Sequence, residues 1–506
     1  MRRERSGRAR GRSPHPDLGR RGKLPAGGHA AVNALHRTGC RLAIPPTRLA
    51  LLVLLAASWS AAVQAGVGDR VDEFVQAELK RQKIPGVAVA VVKGGRVIVA
   101  KGYGLADLEH EVPVTAETIF QSGSVGKQFT AAAVMLQVEG EKIALDERVT
   151  RWFPEAPDTW RPITVRHLLT HTSGIPDYTP ETLDLRRDYS EDELARFAFG
   201  LKLEFDAGSR WSYSNTGYVL LGIIVHRASG RFYGDVLRER VFAPLGMRTA
   251  RIISEEEIVP HRAAGYRLVG EELKNQEWVA PRLNTTADGS LYFSILDLIA
   301  WERGLRSGAI LKPGSWAQIF EPVRLNSGRS YPYGFGWSVD EVAGQRRLHH
   351  GGAWQGFKAH ISRYLGDELT VVVLANLAQA DERRLADGIA GIVNPALAQP
   401  EPMPIPDREP AVTARLLGLL GAAAEGKLVP EEFAYVRAGF FPEAANQYQA
   451  LLGGLGAARR ADLVERRELG DDRVYAYEVG YADRVVLVRM GLAPDDRLSL
   501  FVVHPK

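Results

Sequence analysis

Two widely separated groups of β-branched runs constrain this chain more than any other feature, because every strand must find a hydrogen-bonding partner somewhere along it. Val87–Val92 and Val97–Ala100 are such runs, and Gly94-Gly95 between them tolerates the positive φ angles of a tight hairpin. Arg347–His350, Lys358–Tyr364 and Leu369–Leu374 form the second group, with a turn at Gly366-Asp367. The intervening sequence reads as mostly helical. Phe129, Ala132, Ala133 and Leu136 recur at i, i+3, i+4 and i+7, and Gly140 is placed to end that helix. Strands at both ends with helices between predict an α/β (α+β) fold. One antiparallel sheet is assembled from distant segments and flanked by helices, with an inserted helical region alongside and a cleft between them.

At 506 residues and 45% hydrophobic content, the chain has room for two or three domains. Six prolines between Pro395 and Pro410 favour an extended linker and mark a boundary. Beyond it, Ala411–Glu425 reads as an apolar helix. Ala461–Val503 reads as three or four strands punctuated by Gly470-Asp471-Asp472 and Pro494-Asp495-Asp496. The expected organisation is a leader over 1–65, a main domain over 66–394, a linker over 395–410 and a small α+β accessory domain over 411–506. The accessory domain holds no cluster of residues assignable to chemistry.

The net charge of +4 would suggest a nucleic-acid partner, but residues 1–65 hold twelve Lys/Arg against Glu4 and Asp17, leaving about −6 for residues 66–506. The bulk of the chain lacks the basic footprint a phosphate backbone requires, so nucleic acid is excluded as a partner. Residues 49–57 form an apolar run after Arg48, followed by small residues ending in Val63-Gln64-Ala65, the pattern of a secretory signal peptide. An uncleaved anchor is the alternative, disfavoured by the short run. Export to the periplasm or the outside is expected, with no stable membrane span after cleavage. Residues 1–40 are long and Arg-rich for a leader, which leaves a misassigned start and a twin-arginine signal both open. Cys40 is the only cysteine and falls in the segment expected to be removed. Covalent catalysis would then have to come from Ser, Thr, Lys or a carboxylate.

Ser124-Val125-Gly126-Lys127 opens the helix that ends near Gly140, which puts the serine at its N-terminus and the lysine one turn later on the same face. A serine hydroxyl needs a base within hydrogen-bond reach, and a partly desolvated lysine can supply one. The helix N-terminus adds free N–H groups that favour a developing oxyanion. Ser-x-x-Lys alone is a weak pattern, common on exposed helices. Tyr213-Ser214-Asn215 lies in the Ser/Asn/Gly-rich stretch Ser212–Gly217, read as a loop before an apolar helix from Tyr218. Turn chemistry is the blander account of it. His350-Gly351-Gly352-Ala353 ends an expected strand, where two glycines are costly unless a backbone or ligand approaches closely. The N–H of Ala353 is a candidate second oxyanion donor, and a β-bulge with an exposed histidine is the competing account. His167 and His171 stand at i, i+4 on an expected helix, but the Glu of a His-Glu-x-x-His zinc motif is absent and a structural role is expected. Asp381–Arg384 reads as the solvated face of a helix.

The three elements in this order resemble the Ser-x-x-Lys, Tyr-x-Asn and His/Lys-x-Gly triplet of the class C β-lactamase, DD-peptidase and esterase superfamily of penicillin-recognising serine hydrolases. Phe120–Gly123, His167–Gly174, Pro244–Met247 and Tyr333–Trp337 are also similar to phrases of that family. The resemblance runs from about residue 70 to 393 and does not reach residues 411–506. It implies a β-lactamase/transpeptidase-like fold and an acyl-enzyme mechanism. Ser124 would be nucleophile, Lys127 and Tyr213 would share proton transfer, and Asn215, His350, Gly352 and Ala353 would bind substrate. The implied substrates are esters, D-amino-acid peptides or β-lactams, with no metal or cofactor. Which of Lys127 and Tyr213 is the main base stays open, as do the substrate and the oligomeric state. A catalytically silent binding or scaffold protein is the rival reading, and a Ser-His-Asp hydrolase is weakened because no Gly-x-Ser-x-Gly follows an expected strand. Family members with strong β-lactamase activity carry lysine at the His350 position. An unperturbed histidine there loses its charge near pH ~6.5, so carboxylate substrates are expected to bind less well as pH rises through that region.

Overall fold

The computed structural model describes residues 66–506. The leader, its apolar run and Cys40 lie outside the described residues.

Strand β1 (Gly86–Lys93) is buried along its whole apolar run. Successive side chains point to opposite faces, so Ala88 and Ala90 join a core with Phe120, Val125 and Phe129. Val87, Val89 and Val91 join a second core with Val371, Val373, Leu385 and Ile389. A strand without apolar/polar alternation is stable only when both faces are covered, each fully buried valine contributing about 1.5–3 kcal/mol.

The sheet has seven strands. After β1 come β2 (Arg96–Asp107), β3 (Val112–Pro113), β4 (Ser338–Val342), β5 (Gln345–Trp354), β6 (Phe357–Tyr364) and β7 (Leu369–Ala375). Their spatial order is β4-β5-β6-β7-β1-β2-β3, and every neighbouring pair is antiparallel. Val89 pairs with Val373 on one side and Lys101 on the other, so the N-terminal hairpin is zipped to the late meander, as the two groups of runs required. Helices α1 (Lys127–Glu139), α2 (Asn215–Ser229) and α3 (Ile295–Ser307) contribute to the first core, while the helix over 66–82 and α4 (Glu382–Val393) contribute to the second.

Two local expectations need correction. The helix expected from Tyr218 begins at Asn215, because the Ser214 hydroxyl caps it by accepting the Gly217 N–H. The helix expected to carry both His167 and His171 stops at Leu169, and His171 lies beyond it with φ of 57°.

After a short turn at Pro395–Leu397, residues 398–409 carry no regular structure, and Ile405 donates its N–H to Leu463 O at 2.8 Å. The C-terminal segment then folds as α5 (Pro410–Ala424), α6 (Ala445–Leu452) and an antiparallel sheet in the order β8 (Arg460–Leu469), β9 (Asp472–Gly480), β10 (Val485–Leu492), β11 (Leu498–Pro505). It has its own core, with Leu416, Leu420, Tyr475, Val488 and Phe501 among its residues. Arg210 meets Asp472 at 3.2 Å and Phe205 meets Tyr435 edge-to-face at 5.6 Å, so the segment touches the chain leading to Tyr213. No helix among the described residues is long and apolar enough to cross a membrane.

Candidate active site

Ser124 sits in a 3-10 turn, Gly123–Gly126, that runs directly into α1. The turn is held from two sides. Phe120–Gln121 pairs with Leu291–Phe293, and the Ser122 hydroxyl donates to Gly289 O at 2.7 Å. On the other side, β5 presses its backbone against the turn. A Cβ on Gly352 would lie 2.2 Å from Ser122 O and 2.9 Å from Ser124 N, and one on Gly123 would lie 2.3 Å from Ala353 N. Only glycine fits at these contacts. The costly glycines of β5 thus have a local cause, the close approach of the serine turn. The same packing brings the amide nitrogens of Ser124 and Ala353 into one neighbourhood.

Lys127 is fully buried, and its Nζ donates to Ser124 Oγ at 3.1 Å, to Asn215 Oδ1 at 2.5 Å and to the backbone carbonyl of Asp288. Burial pulls its pKa down to about 8 against the opposing charges of Asp288 and Asp177. Asp177 is pushed up to about 6 by burial, with the Lys127 charge opposing. It accepts the Asn215 N–H at 2.7 Å and Asn215 Nδ2–H at 3.0 Å. Asn215 was expected to hold substrate. It bridges Lys127 to Asp177, which leaves one Oδ1 lone pair and one Nδ2 hydrogen for anything else.

The Tyr213 ring lies 4.9 Å from Lys127 Nζ, and among the described residues its buried hydroxyl has no hydrogen-bond partner. Burial holds this phenol far above its usual range and Ser124 pulls the other way, so at neutral pH it is a hydroxyl and not a tyrosinate.

His350 departs from expectation in its charge. It is buried, and burial depresses its pKa to about 3 against the Gly351 carbonyl, with Lys127 adding to the depression. Its neighbours fix its protons. Ser214 N–H can only donate, and it does so to His171 Nδ1 at 3.1 Å. The His171 proton is therefore on Nε2, directed at Tyr333 Oη 3.2 Å away. Tyr333 then donates to His350 Nε2 at 2.9 Å, and His350 Nδ1–H donates to Gly351 O at 2.6 Å. A neutral histidine cannot supply the carboxylate-reading charge, so the expected titration near pH ~6.5 is corrected: no charge is lost there because none is present.

Sequence reasoning missed four contributors: Asp177, Asp288, His171 and Tyr333. His171 and Tyr333 fall inside the family-like phrases but were given no part in the site. Asp177 and Asp288 carried no signal of their own. The Tyr178 hydroxyl donates to Asp288 Oδ2 at 2.7 Å, while Oδ1 is buried with no partner among the described residues. Among the described residues, no group of three or more His, Cys, Asp or Glu is placed to hold a metal ion.

Residues 71–393 match the family model described as Beta-lactamase. The chain belongs to the beta-lactamase family. A penicillin-binding protein of Bacillus subtilis (strain 168) is 30% identical to this beta-lactamase family member over 311 residues, 58% of this chain and 68% of that protein. A D-aminopeptidase of Brucella canis is 30% identical over 343 residues, 66% of this chain, and the match spans 64% of that relative's length, less than two thirds. Among solved structures, D-amino acid amidase from Ochrobactrum anthropi SV3, complexed with L-phenylalanine amide, aligns with TM-score 0.55 and 25% identity over 65% of this chain and 96% of that one. The octameric penicillin-binding protein homologue from Pyrococcus abyssi shares the fold with TM-score 0.58 and 22% identity, covering 87% of this chain and 96% of that one. That coverage exceeds what residues 71–393 can supply, so the likeness in fold takes in part of the C-terminal segment. The family and fold implied by the Ser-x-x-Lys resemblance are thus established: this is a β-lactamase-fold member of a serine hydrolase family.

Proposed function

We propose that this protein is a serine acyl hydrolase that prefers acyl donors with a free amine near the scissile carbonyl over carboxylate-bearing β-lactams. D-amino-acid amides, peptides and esters are the class in view. The observation that carries this reading is the charge around the nucleophile. The ionised groups acting on Lys127 are the carboxylates of Asp288 and Asp177, and the position where a carboxylate-reading cation was expected holds neutral His350. Asp288 is only 8% exposed, and its Oδ1 is buried without a partner among the described residues, so its charge is poorly screened and favours an ammonium over a carboxylate at the site. Similarity to a D-aminopeptidase and a D-amino acid amidase supports the same substrate class.

In this mechanism neutral Lys127 takes the Ser124 proton across 3.1 Å as the Oγ–carbon bond forms. The N–H groups of Ser124 and Ala353 receive the oxyanion. The carbonyl re-forms, the bond to the leaving group breaks, and the leaving amine or alkoxide takes a proton from the Tyr213 hydroxyl, which Lys127 replenishes. Water then attacks the acyl-enzyme, gives its proton to Lys127, and releases the acid and Ser124.

The test compares kcat/KM for a D-alanyl anilide with that for its N-acetyl derivative. Acetylation is expected to lower kcat/KM at least about tenfold, the scale of one lost charged hydrogen bond. Asp288→Asn should erase that difference while keeping the Tyr178 contact. Equal or better turnover of the acetylated substrate contradicts the reading.

A further inference from the structure

A second cavity of about 340 Å3 opens between the hairpin that follows Ala353 and the strand that leads into Ser124. Gln355 and Phe357 line it from the hairpin, and Gln121, three residues before the nucleophile, lines it from the strand. Its wall carries four carboxylates, Asp107, Glu109, Glu255 and Glu277, against one guanidinium, Arg262. These carboxylates are not exhausted by their neighbours. Glu109 takes the Asn275 amide at 2.7 Å, Glu277 pairs with Arg267 at 3.0 Å and Arg186 at 3.9 Å, Asp107 accepts the backbone N–H groups of Glu109 and His110 and meets the His110 ring at 3.2 Å, and Glu255 accepts from Asn284 at 3.2 Å with Arg262 at 4.0 Å. A carboxylate has about four acceptor sites, so each retains capacity.

A second, independent observation points the same way. Gln121 is only 7% exposed, and among the described residues its Oε1 has no hydrogen-bond partner, nor has Oε1 of Gln355. Two residues of the cavity wall thus carry buried side-chain carbonyl oxygens short of a donor, and turning either amide toward the cavity would meet that need with a ligand that brings N–H groups. The carboxylates are spread around the wall and do not converge on a point, as no metal-holding group of three exists among the described residues. The demand is for an extended organic cation. Tyr266 and Tyr292 line the cavity, and Trp278, 59% exposed, stands at it as a further ring for a cation to lie against.

We propose that this cavity is a subsite for an alkyl-ammonium or alkyl-guanidinium group, either the basic side chain of a substrate or a free polyamine. The first alternative rests on the acyl hydrolase reading above, and the second does not. In both, the N–H groups satisfy Gln121 and Gln355, the positive charge lies among the four carboxylates, and the alkyl stem lies along the aromatic wall.

Calorimetry with agmatine as the probe, on the full chain at constant ionic strength, tests the site without any turnover. Saturable binding is expected, weakened at least about tenfold by Glu255→Gln together with Glu277→Gln, and separately by Gln121→Leu. Both Glu255 and Glu277 lie outside the catalytic constellation, so the first variant keeps the fold and the basal hydrolysis of a small ester. A second arm compares kcat/KM for D-alanyl-agmatine and D-alanyl-butylamide. A preference for the cationic substrate that Glu255→Gln with Glu277→Gln removes identifies a substrate side chain, whereas agmatine binding without that preference identifies a free polyamine. Absence of saturable agmatine binding at 10 mM, or equal binding by the wild type and both variants, overturns the proposal and leaves the acyl hydrolase reading untouched.

Discussion

The hydroxyl of Tyr333 stands 2.9 Å from Nε2 of His350 and donates to it, which makes His350 an acceptor on one edge and, through Nδ1–H to Gly351 O, a donor on the other. With Ser214 N–H fixing His171 at the far end, both imidazoles are neutral and the direction of every hydrogen bond in the row is set. A histidine held in this way shapes the edge of the site without reading charge. Matched acid and methyl-ester substrates should therefore show parallel KM curves between pH 5.5 and 8. A selective rise of KM for the acid substrate near pH ~6.5 would show that His350 titrates in the folded protein. Tyr333→Phe leaves His171 Nε2–H buried and unpaired, and should lower stability by about 1–3 kcal/mol in denaturant melts.

The close contact at Gly352 gives a backbone test. Gly352→Ala would place a methyl 2.2 Å from Ser122 O and 2.9 Å from Ser124 N, so the serine turn must shift away from β5. The expected outcome is a fall in kcat of about a hundredfold, since misplacing a reacting group by about 1 Å costs on that scale. Wild-type kcat in this variant would mean that the Ser124–Ala353 neighbourhood is not catalytic.

Protonation of Lys127 should dominate the pH profile. With its pKa drawn down to about 8 by burial, kcat/KM is expected to rise with pH through that region as the neutral amine becomes available. The Asp288 charge raises that pKa, so Asp288→Asn should move the rising limb to lower pH. Movement to higher pH, or no movement, would count against Lys127 as the base.

Acid stability follows from five histidines, His167, His171, His349, His350 and His360, whose pKa values burial lowers in the fold. A depressed folded pKa contributes stability that is present above the unfolded value near ~6.5 and is lost as pH falls toward the folded one. Unfolding free energy should begin to drop below pH ~6.5, each histidine contributing up to about 1.4 kcal/mol per pH unit. Asp177, raised to about 6, works in the opposite sense, favouring the fold as pH falls below that value. Chemical denaturation at pH 7, 6 and 5 measures the net slope, and a flat or rising profile would show that the histidines do not dominate.

Much of this was legible in the sequence for reasons that are local. The unbroken β-branched run at Val87–Val92 reads as a strand, the recurrence of Phe129–Leu136 reads as a helix, which the fold buries on every side from Lys127 to Gln137, and paired glycines in β5 signal close approach before the approaching backbone is known. Ser124 and Lys127 belong to one helical turn, so their meeting needs no tertiary information. Asp177, Asp288 and Tyr333 meet Lys127 and His350 through packing across 50 to 161 residues of chain or at the turn of a sheet edge, and no spacing rule encodes that. The start of α2 was misplaced because the Ser/Asn-rich stretch that looks like a loop is itself the cap. The charge of His350 was misjudged because a reference pKa assumes an imidazole in open water, and this one is buried.

Trapping the acyl-enzyme tests the central claim most directly. Intact-mass spectrometry of the full chain, quenched in acid during turnover of a D-alanyl ester, should show one added D-alanyl group that decays as substrate is exhausted. Peptide mapping should place it on Ser124, and Ser124→Ala should show neither adduct nor turnover. An adduct on another residue, or steady turnover by Ser124→Ala, would contradict the assignment of Ser124 as the nucleophile.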